Sequence, residues 1–566
     1  MKFDEIDVAL SHEFIQVLSS TPKLQEFFLR HDTDEKNWEK IFKILKSLTK
    51  SQLKFLELAL AENFTIADIV QGGGATEVLV KTAGIKAILS NAKILYFTAF
   101  ESQTEDLKKR FSSLFSEKIF EKITISVTPV FLENLLKTKI SDASVLLYLG
   151  ISEDFHFSSR WMEILAEKRD AVNKGIPFWM ILRKKMTGFA PEDVEEEIKQ
   201  DIDEIFRAYQ MSLEKLKIFD RISMLKLLNK FQQLKPRGFK DNFSKYDLIL
   251  VDHANRYLPE EFEYLKLFLK DEGSLAGCGD FSNTFYRPSA VKGAKTLSIN
   301  ETFRHSPFVV DLMKNLSGRQ VLPVKPIDDI GIFYYEAVDE TDEMEFIAFS
   351  TQKLIKDGVP PSGIGVIFKE ANFPQKFIPV CIEFGVNALE YPGAGTVVPF
   401  TRELISLLEA NLNAETMELL SSKLDMVKFK SVKDWFERKL KRFAPFDSRQ
   451  TRNKSLLEDL KRIKERSGES IKLVTDYFAP AYSFEVVFIP SFTSRHYTES
   501  FKTIFYRNVS RSARGIFITR PLVIRPTVYY DRFFKTEASP LLKYLPAGSY
   551  KRVQTFLKKL AEAIGF

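Results

Sequence analysis

From Phe64 onward the chain reads as an apolar run, Ile66 to Val70, a Gly72-Gly73-Gly74 turn, a helix-forming stretch, Val78 to Leu89, and a second apolar run, Ile94 to Thr98. This is a βαβ unit, and strands this short and this uniformly apolar suit a parallel sheet covered on both faces. Ile123 to Val127, Val145 to Tyr148, Phe178 to Leu182 and Leu248 to Val251 are further buried-strand candidates, with a helical stretch from Glu192 to Leu234 interrupting them. A second α/β region opens after Pro323, with strands at Ile332 to Tyr335, Gly365 to Phe368 and Val486 to Ile489, and a helix from Glu340 to Lys356 between the first pair. Phe14, Leu18, Leu24, Phe27, Phe28, Trp38, Ile41 and Leu45 recur at roughly helical spacing, so the first fifty residues form a helical preface.

The expected class is therefore α/β: two parallel-sheet lobes, each interrupted by a mainly helical insertion. By number, residues 1–50 are the preface, 51–137 and 238–300 the first lobe, and 138–237 its insertion. Residues 301–395 and 467–566 form the second lobe, and the basic helical segment 396–466 is inserted in it. A length of 566 residues allows several cores, and 45% hydrophobic with 28% charged residues is ordinary globular usage. Cys278 and Cys381 are the only cysteines, which excludes a disulfide framework or a cysteine-rich zinc module and fits a reducing, cytoplasmic setting. The opening Met1-Lys2-Phe3-Asp4-Glu5 carries no secretory pattern, and no apolar run is long enough to span a bilayer, so no membrane partner is expected. The net charge of +6 is concentrated: between Ser421 and Ser470, 15 Lys and Arg face 8 Asp and Glu. Such a run is most often a solvated helical face; phosphate contact is the sharper reading.

The glycine turn resembles a phosphate-binding loop lacking its cation. That loop needs Gly-Lys-[Ser/Thr] at its end, because bare backbone N–H groups cradle the phosphates and the lysine neutralises the outer ones. Here the order is Gly74-Ala75-Thr76. Taken alone, three glycines mark a tight turn more often than a nucleotide site.

The order of the other segments settles what the turn resembles. Leu48-Thr49-Lys50-Ser51-Gln52 precedes it; Thr98 to Leu107 and Val127-Thr128-Pro129-Val130-Phe131 follow. Next come Leu248-Ile249-Leu250-Val251-Asp252-His253, Gly279-Asp280-Phe281-Ser282-Asn283-Thr284-Phe285-Tyr286, and Phe303-Arg304. Thr475 to Pro490 and Tyr506 to Thr519, with Arg511, close the series. In order and spacing these resemble the motifs of the superfamily-1 helicases of the UvrD, Rep and PcrA type, from about Leu48 to the end of the chain. The resemblance implies two RecA-like P-loop lobes. It implies Gln52 as the adenine reader, Gly72, Gly73, Gly74 and Thr76 as the phosphate cradle, and Thr76 with Asp252 as holders of a magnesium ion. Asn283, Arg304 and Arg511 fall on its nucleotide-sensing positions, and Thr98, Thr128, Phe131, Phe281 and Tyr286 on positions that meet a nucleic-acid strand.

Two essential charges are replaced: Ala75 stands for the lysine and His253 for the carboxylate that orients the attacking water. Asn283, Ala481 and Ser483 depart from the family pattern as well, and Pro288 takes the place of a stacking tryptophan. The expectation is a pseudo-helicase that needs no cofactor, with ATP and magnesium at most vestigial. It would bind single-stranded or branched DNA, or an active helicase or nuclease subunit, much as RecC and AddB carry inactivated lobes beside active partners. The alternatives are an active ATP-dependent DNA helicase with its lysine supplied by Lys81 or Lys86, and a purely structural assembly subunit.

Overall fold

The fold is given by a computed structural model. It describes residues 18–19, 21–139, 156–157, 178–189, 196–216, 218–234, 243, 245–282, 286–369, 373–391, 409, 453–454, 457–458, 470–476, 479–524, 534–546 and 550–553. The chain divides into two compact units: Met1–Arg304 with Ser317–Lys325, and His305–Leu316 with Pro326–Phe566.

In the first unit, helices α1 (Pro22–Leu29), α2 (Glu35–Lys46) and α3 (Lys50–Ala61) lead into β1 (Phe64–Ile69). A capping box opens α3: the Thr49 hydroxyl oxygen accepts from the backbone N–H of Gln52, and the Gln52 side chain accepts from that of Thr49. Helix α4 (Ala75–Ser90), β2 (Ile94–Thr98), α5 (Glu101–Leu114), β3 (Ile123–Val127) and α6 (Thr128–Lys139) follow. Then come α7 (Phe178–Thr187), α8 (Glu196–Leu216), α9 (Arg221–Leu234), β4 (Tyr246–Asp252), β5 (Leu269–Gly279) and β6 (Lys295–Ile299). The six strands form one sheet in the order β3-β2-β4-β5-β1-β6, parallel at every pairing. Alternate residues of β4 go to opposite faces, as the period of a strand requires. Leu248 and Leu250 pack with α1 to α5, and Ile249 and Val251 with α6 and α9. Both faces being covered is why β4 reads as an unbroken apolar run.

The second unit holds α10 (Pro307–Ser317), β7 (Gly331–Ala337), α11 (Glu340–Lys356), β8 (Ile364–Phe368), α12 (Phe373–Glu383), β9 (Ala388–Tyr391) and β10 (Ile471–Thr475). It ends with β11 (Phe484–Ile489), α13 (Lys502–Val509), β12 (Ser512–Pro521) and β13 (Tyr550–Val553). These seven strands pair in the order β9-β10-β8-β11-β12-β7-β13, again all parallel. Glu343 of α11 is buried and accepts from Ser491 N at 2.8 Å and Thr519 Oγ1 at 2.7 Å, which ties that helix to the ends of β11 and β12.

One expected strand is a helix. Phe178 to Leu182 form the first half of α7, where Met180, Ile181, Leu182 and Met186 are buried. A five-residue apolar run fits either element, and here Met186 continues the buried face at helical spacing. The stretch expected to be helical from Glu192 to Leu234 contains α8 and α9, separated by Ile218–Phe219, which pairs in parallel with His156–Phe157. The strand expected at Val145 to Tyr148 and nearly all of the basic segment lie outside the described residues.

Two predictions follow from this packing. A Cβ added at Gly84 would lie 1.9 Å from Phe115 Cζ. Gly84→Ala should therefore lower stability by about 1–3 kcal/mol through overpacking, although alanine is favoured in a helix by ~1 kcal/mol. An unchanged or raised urea midpoint would contradict this contact. In the second unit, Lys369 donates to the His496 carbonyl and sits over the Phe501 ring, 3.5 Å from its centroid. Burial pushes its pKa down to about 8. The folded state thus binds fewer protons than the unfolded chain above pH 8, so stability gains with pH until the ordinary lysine range is reached. Replacing Lys369 by Met should flatten that rise between about pH 8 and 10 in a series of urea titrations.

Candidate functional site

In the first unit, β1, β2, β4 and β5 all end at the carboxyl edge of the sheet, where open parallel sheets bind their ligands. The turn between β1 and α4 has Gly72 at φ 79° and Gly74 at φ 80°, conformations that L side chains rarely adopt. Space demands glycine as well. A Cβ on Gly74 would come 2.7 Å from Gln52 Nε2, and one on Gly73 would come 2.7 Å from the Glu301 carbonyl oxygen.

The turn is bonded on all sides by its own unit. Gly73 N donates to Val70 O at 2.9 Å, Phe303 N to Gly72 O at 3.0 Å, and Gln71 N to Asp280 Oδ2 at 2.9 Å. Gln52, expected to read a base, uses Nε2 on Gly73 O at 3.0 Å and Oε1 on Thr49 N at 3.1 Å, and is only 4% exposed. The hydroxyls of Thr49 and Ser51 donate to the Glu301 carboxylate at 2.6 and 3.2 Å.

Thr76, in the first turn of α4, donates through Oγ1 to Asp252 Oδ2 at 2.7 Å. The Tyr96 hydroxyl donates to the same oxygen at 3.3 Å, and His253 N to Asp252 Oδ1 at 2.9 Å. Burial, reinforced by the Asp252 charge, keeps the Tyr96 phenol protonated to well above its ordinary range. Thr76 and Asp252 are thus together, as the sequence predicts, and could supply two oxygens to a magnesium ion that keeps most of its water. Among the described residues there is no cluster of three or more His, Cys, Asp or Glu able to hold a metal.

Ala75 is the first residue of α4. The two lysines considered as substitutes point elsewhere: Lys81 pairs with Glu77 at 3.0 Å and donates to Ser47 Oγ at 2.9 Å, while Lys86 lies 5.1 Å from the centre of the Phe27 ring. His253 has a left-handed backbone at φ 55°. Gln103 Oε1 accepts from the Thr98 hydroxyl at 2.6 Å, leaving its amide to donate to His253 Nε2 at 3.1 Å.

Arg304 follows Phe303 at the turn, and burial together with the Arg110 charge lowers its pKa. Arg511 belongs to the second unit and is 3% exposed; Nη1 donates to Pro480 O at 3.0 Å and Nε to Arg507 O at 3.2 Å. Asn283 lies outside the described residues. Of the residues expected to meet a strand, Thr98 and Thr128 are buried, the latter sharing a hydrogen bond with the Tyr257 hydroxyl. The Phe131 ring packs edge-on against Phe97 and Phe268, Phe281 is buried against Tyr286, and the Tyr286 hydroxyl donates to the Tyr257 carbonyl.

Sequence reasoning missed Arg319. Its guanidinium uses every nitrogen: Nε donates to Asn300 Oδ1 at 2.6 Å, Nη1 to Asp68 Oδ1 at 2.7 Å, and Nη2 to the carbonyls of Asp68 and Ile299 at 2.8 and 2.9 Å. Burial raises the Asp68 pKa, and the Arg319 charge offsets part of that rise. No local pattern in Ser317-Gly318-Arg319-Gln320 announces this role.

No family model matches the chain. No curated protein matches it. Among solved structures, the crystal structure of the C-terminal domain of a possible DNA helicase from Lactobacillus plantarum WCFS1 is similar at 9% identity over 44% of this chain and 99% of that one, with a TM-score of 0.25. At that TM-score the likeness is too slight to bear on fold or function here. No helix of the described residues is long and apolar enough to cross a membrane.

Gln52→Ala leaves the buried Gly73 carbonyl without its side-chain donor and removes half of the capping box. It should cost about 1–3 kcal/mol in denaturant titrations, with or without ATP present. A variant of native stability would show that these bonds do not hold the turn.

Proposed function

We propose that this chain is a helicase-fold protein of the UvrD type with a degenerate ATPase site, acting as a non-hydrolysing scaffold for nucleic acid or for a partner protein in DNA repair, recombination or defence. The observation that carries the reading is Ala75 at the head of α4, directly after a glycine turn whose partner residues Thr76 and Asp252 are still in hydrogen-bond contact. Phosphoryl transfer depends on positioned charge, so that one vacancy matters more than the preserved outline. Removing a stabilising cation typically costs ~10²–10³ in rate and removing the general base a further ~10²–10⁴. His253 is a poor replacement for that base, because its Nε2 is already engaged with the Gln103 side chain.

A second reading, a purely structural assembly subunit, is favoured by one specific observation: Thr98, Thr128, Phe281 and Tyr286 all spend their side chains inside the first unit. Base stacking requires a free aromatic face. Strand contact by this chain would therefore rest on other groups, with the lysines and arginines of residues 421–470 the first to test.

Two measurements on the full chain decide the matter. ATP turnover in the presence of single-stranded DNA should be undetectable; about one event per second, within the usual enzyme range, would overturn the non-hydrolysing assignment. Single-strand affinity should fall steeply between about 50 and 200 mM salt as counterions are released. Absence of salt-dependent binding would leave the structural-subunit reading standing.

A further inference from the structure

The amino edge of the first sheet, opposite the edge that carries the glycine turn, is lined with lysine. In strand order, Lys122 directly precedes β3, Lys93 precedes β2, Lys245 precedes β4, and Lys270 is the second residue of β5. Backbone bonds hold the first three strand ends side by side: Ile94 N donates to Lys122 O at 2.9 Å, and Asp247 N to Lys93 O at 2.8 Å. From β3 across β2 to β4 the row is about 10 Å wide, two strand spacings. Two more lysines adjoin it. Lys122 Nζ donates to Ala87 O at 3.2 Å near the end of α4, beside Lys86, and Lys118 lies on the helical turn Glu117–Phe120 that leads into β3.

Neutralising charge is scarce along this row. Its carboxylate, Asp247, is already taken: it accepts Lys93 N at 2.8 Å and Lys270 Nζ at 2.8 and 2.9 Å. Among the described residues none of Lys86, Lys93, Lys118, Lys122 and Lys245 is in an ion pair, exposed Glu117 and Glu121 included as partners. Burial lowers the Lys122 pKa, and the neighbouring Lys118 charge lowers it further. Lys93, Lys118 and Lys245 are exposed. Like charges kept together in this way raise the local potential, which an anion relieves. Lysine ammonium groups are point charges on flexible stems, suited to phosphates in series without base recognition. Ile94, Ile123 and Leu248 behind them are buried, which leaves little apolar surface between the lysines to anchor a peptide. We propose that this edge is a docking surface for the phosphate backbone of nucleic acid, contacted by Lys93, Lys118 and Lys245, with Lys86 and Lys122 adding positive potential behind them. The inference rests on the nucleic-acid form of the reading above and gives it a site away from the glycine turn. It lies wholly within the first unit.

Fluorescence anisotropy of the full chain with a labelled single strand, and with the duplex of the same sequence, tests this between about 50 and 200 mM salt. Each lost phosphate contact lowers the slope of log affinity against log salt by about 0.7 on a single strand and about 0.9 on a duplex. Lys93→Gln, Lys118→Gln and Lys245→Gln together should therefore reduce the slope by about 2 or about 3, with binding at least about tenfold weaker in the middle of that range, and the form of nucleic acid that shows the loss is the one that docks. Lys199→Gln, Lys215→Gln and Lys353→Gln remove the same charge from α8 and α11 and should leave the slope near its native value. In the native chain, nucleic acid should slow acetylation of Lys93 and Lys245, a readout that stands if the triple variant does not fold. The proposal is overturned if the triple variant keeps the native slope on both nucleic acids, if the control variant loses as much, or if acetylation of these lysines is unchanged by nucleic acid. It also falls if the three lysines govern binding of a glutamate-rich peptide and of neither nucleic acid. A native chain that binds no nucleic acid would refute the parent reading as well, whereas native binding kept by the triple variant would refute this surface alone.

Discussion

The turn after β1 must bring backbone to within contact distance of two other backbone segments and a glutamine side chain, and everything at the carboxyl edge of the first sheet depends on that constraint. Glycine at positions 73 and 74 is demanded by Glu301 O and Gln52 Nε2, which leave no room for a Cβ. Once the turn is fixed, α4 starts at Ala75, Thr76 falls opposite Asp252, and the hydroxyl-carboxylate bond closes the edge between β1 and β4. None of this needs a cation at position 75. A loop that holds phosphate must keep its N–H groups and one strong positive charge available, whereas a loop that only has to be rigid can meet its needs with internal acceptors. In this turn Gly73 N and Gln71 N are both committed to acceptors within the unit.

Internal bonding recurs along the edge. His253, at the position the resemblance gives to a water-orienting carboxylate, shares a hydrogen bond with Gln103, which is in turn bonded to Thr98. Its left-handed backbone is a conformation that costs a residue with a Cβ of order 1 kcal/mol or more, sustained because the neighbours over-determine it. The Asp252 carboxylate accepts three protein donors. Tyr96 contributes one of them from a fully buried position, so the edge is built as a network inside low-dielectric packing, where satisfied polar groups rigidify the structure.

The parallel α/β architecture was legible because the central strands are buried on both faces. Ile94 to Thr98, Ile123 to Val127 and Leu248 to Val251 appear in the sheet as read, and Glu340–Lys356 is a helix with Asp339 accepting from Thr341 N and Asp342 N at its start. Strands with a different composition escaped. β5 begins Leu269-Lys270-Asp271-Glu272-Gly273, β6 alternates Lys295-Thr296-Leu297-Ser298-Ile299 at a sheet edge, and β12 opens Ser512-Ala513-Arg514-Gly515, none of which is a continuous apolar run. At the site, Thr76 and Asp252 could be placed together because each lies at a position fixed by its element. Arg319 could not be, since its partners Asp68, Ile299 and Asn300 are brought to it only by the pairing of β1 with β6. Nor does spacing reveal that Gln52 turns inward to Gly73, because a capping box engages only the glutamine's Oε1 and says nothing of where its Nε2 goes.

Neither unit is contiguous in sequence, and this bears on how the chain is made. During synthesis from the amino terminus, the first unit lacks Arg319 until that residue has left the ribosome, by which time the opening helix of the other unit has already emerged. Biogenesis of the two halves is consequently interleaved rather than sequential. A gene fragment ending at Arg304 encodes a sheet whose half-buried Asp68 lacks the guanidinium that compensates it.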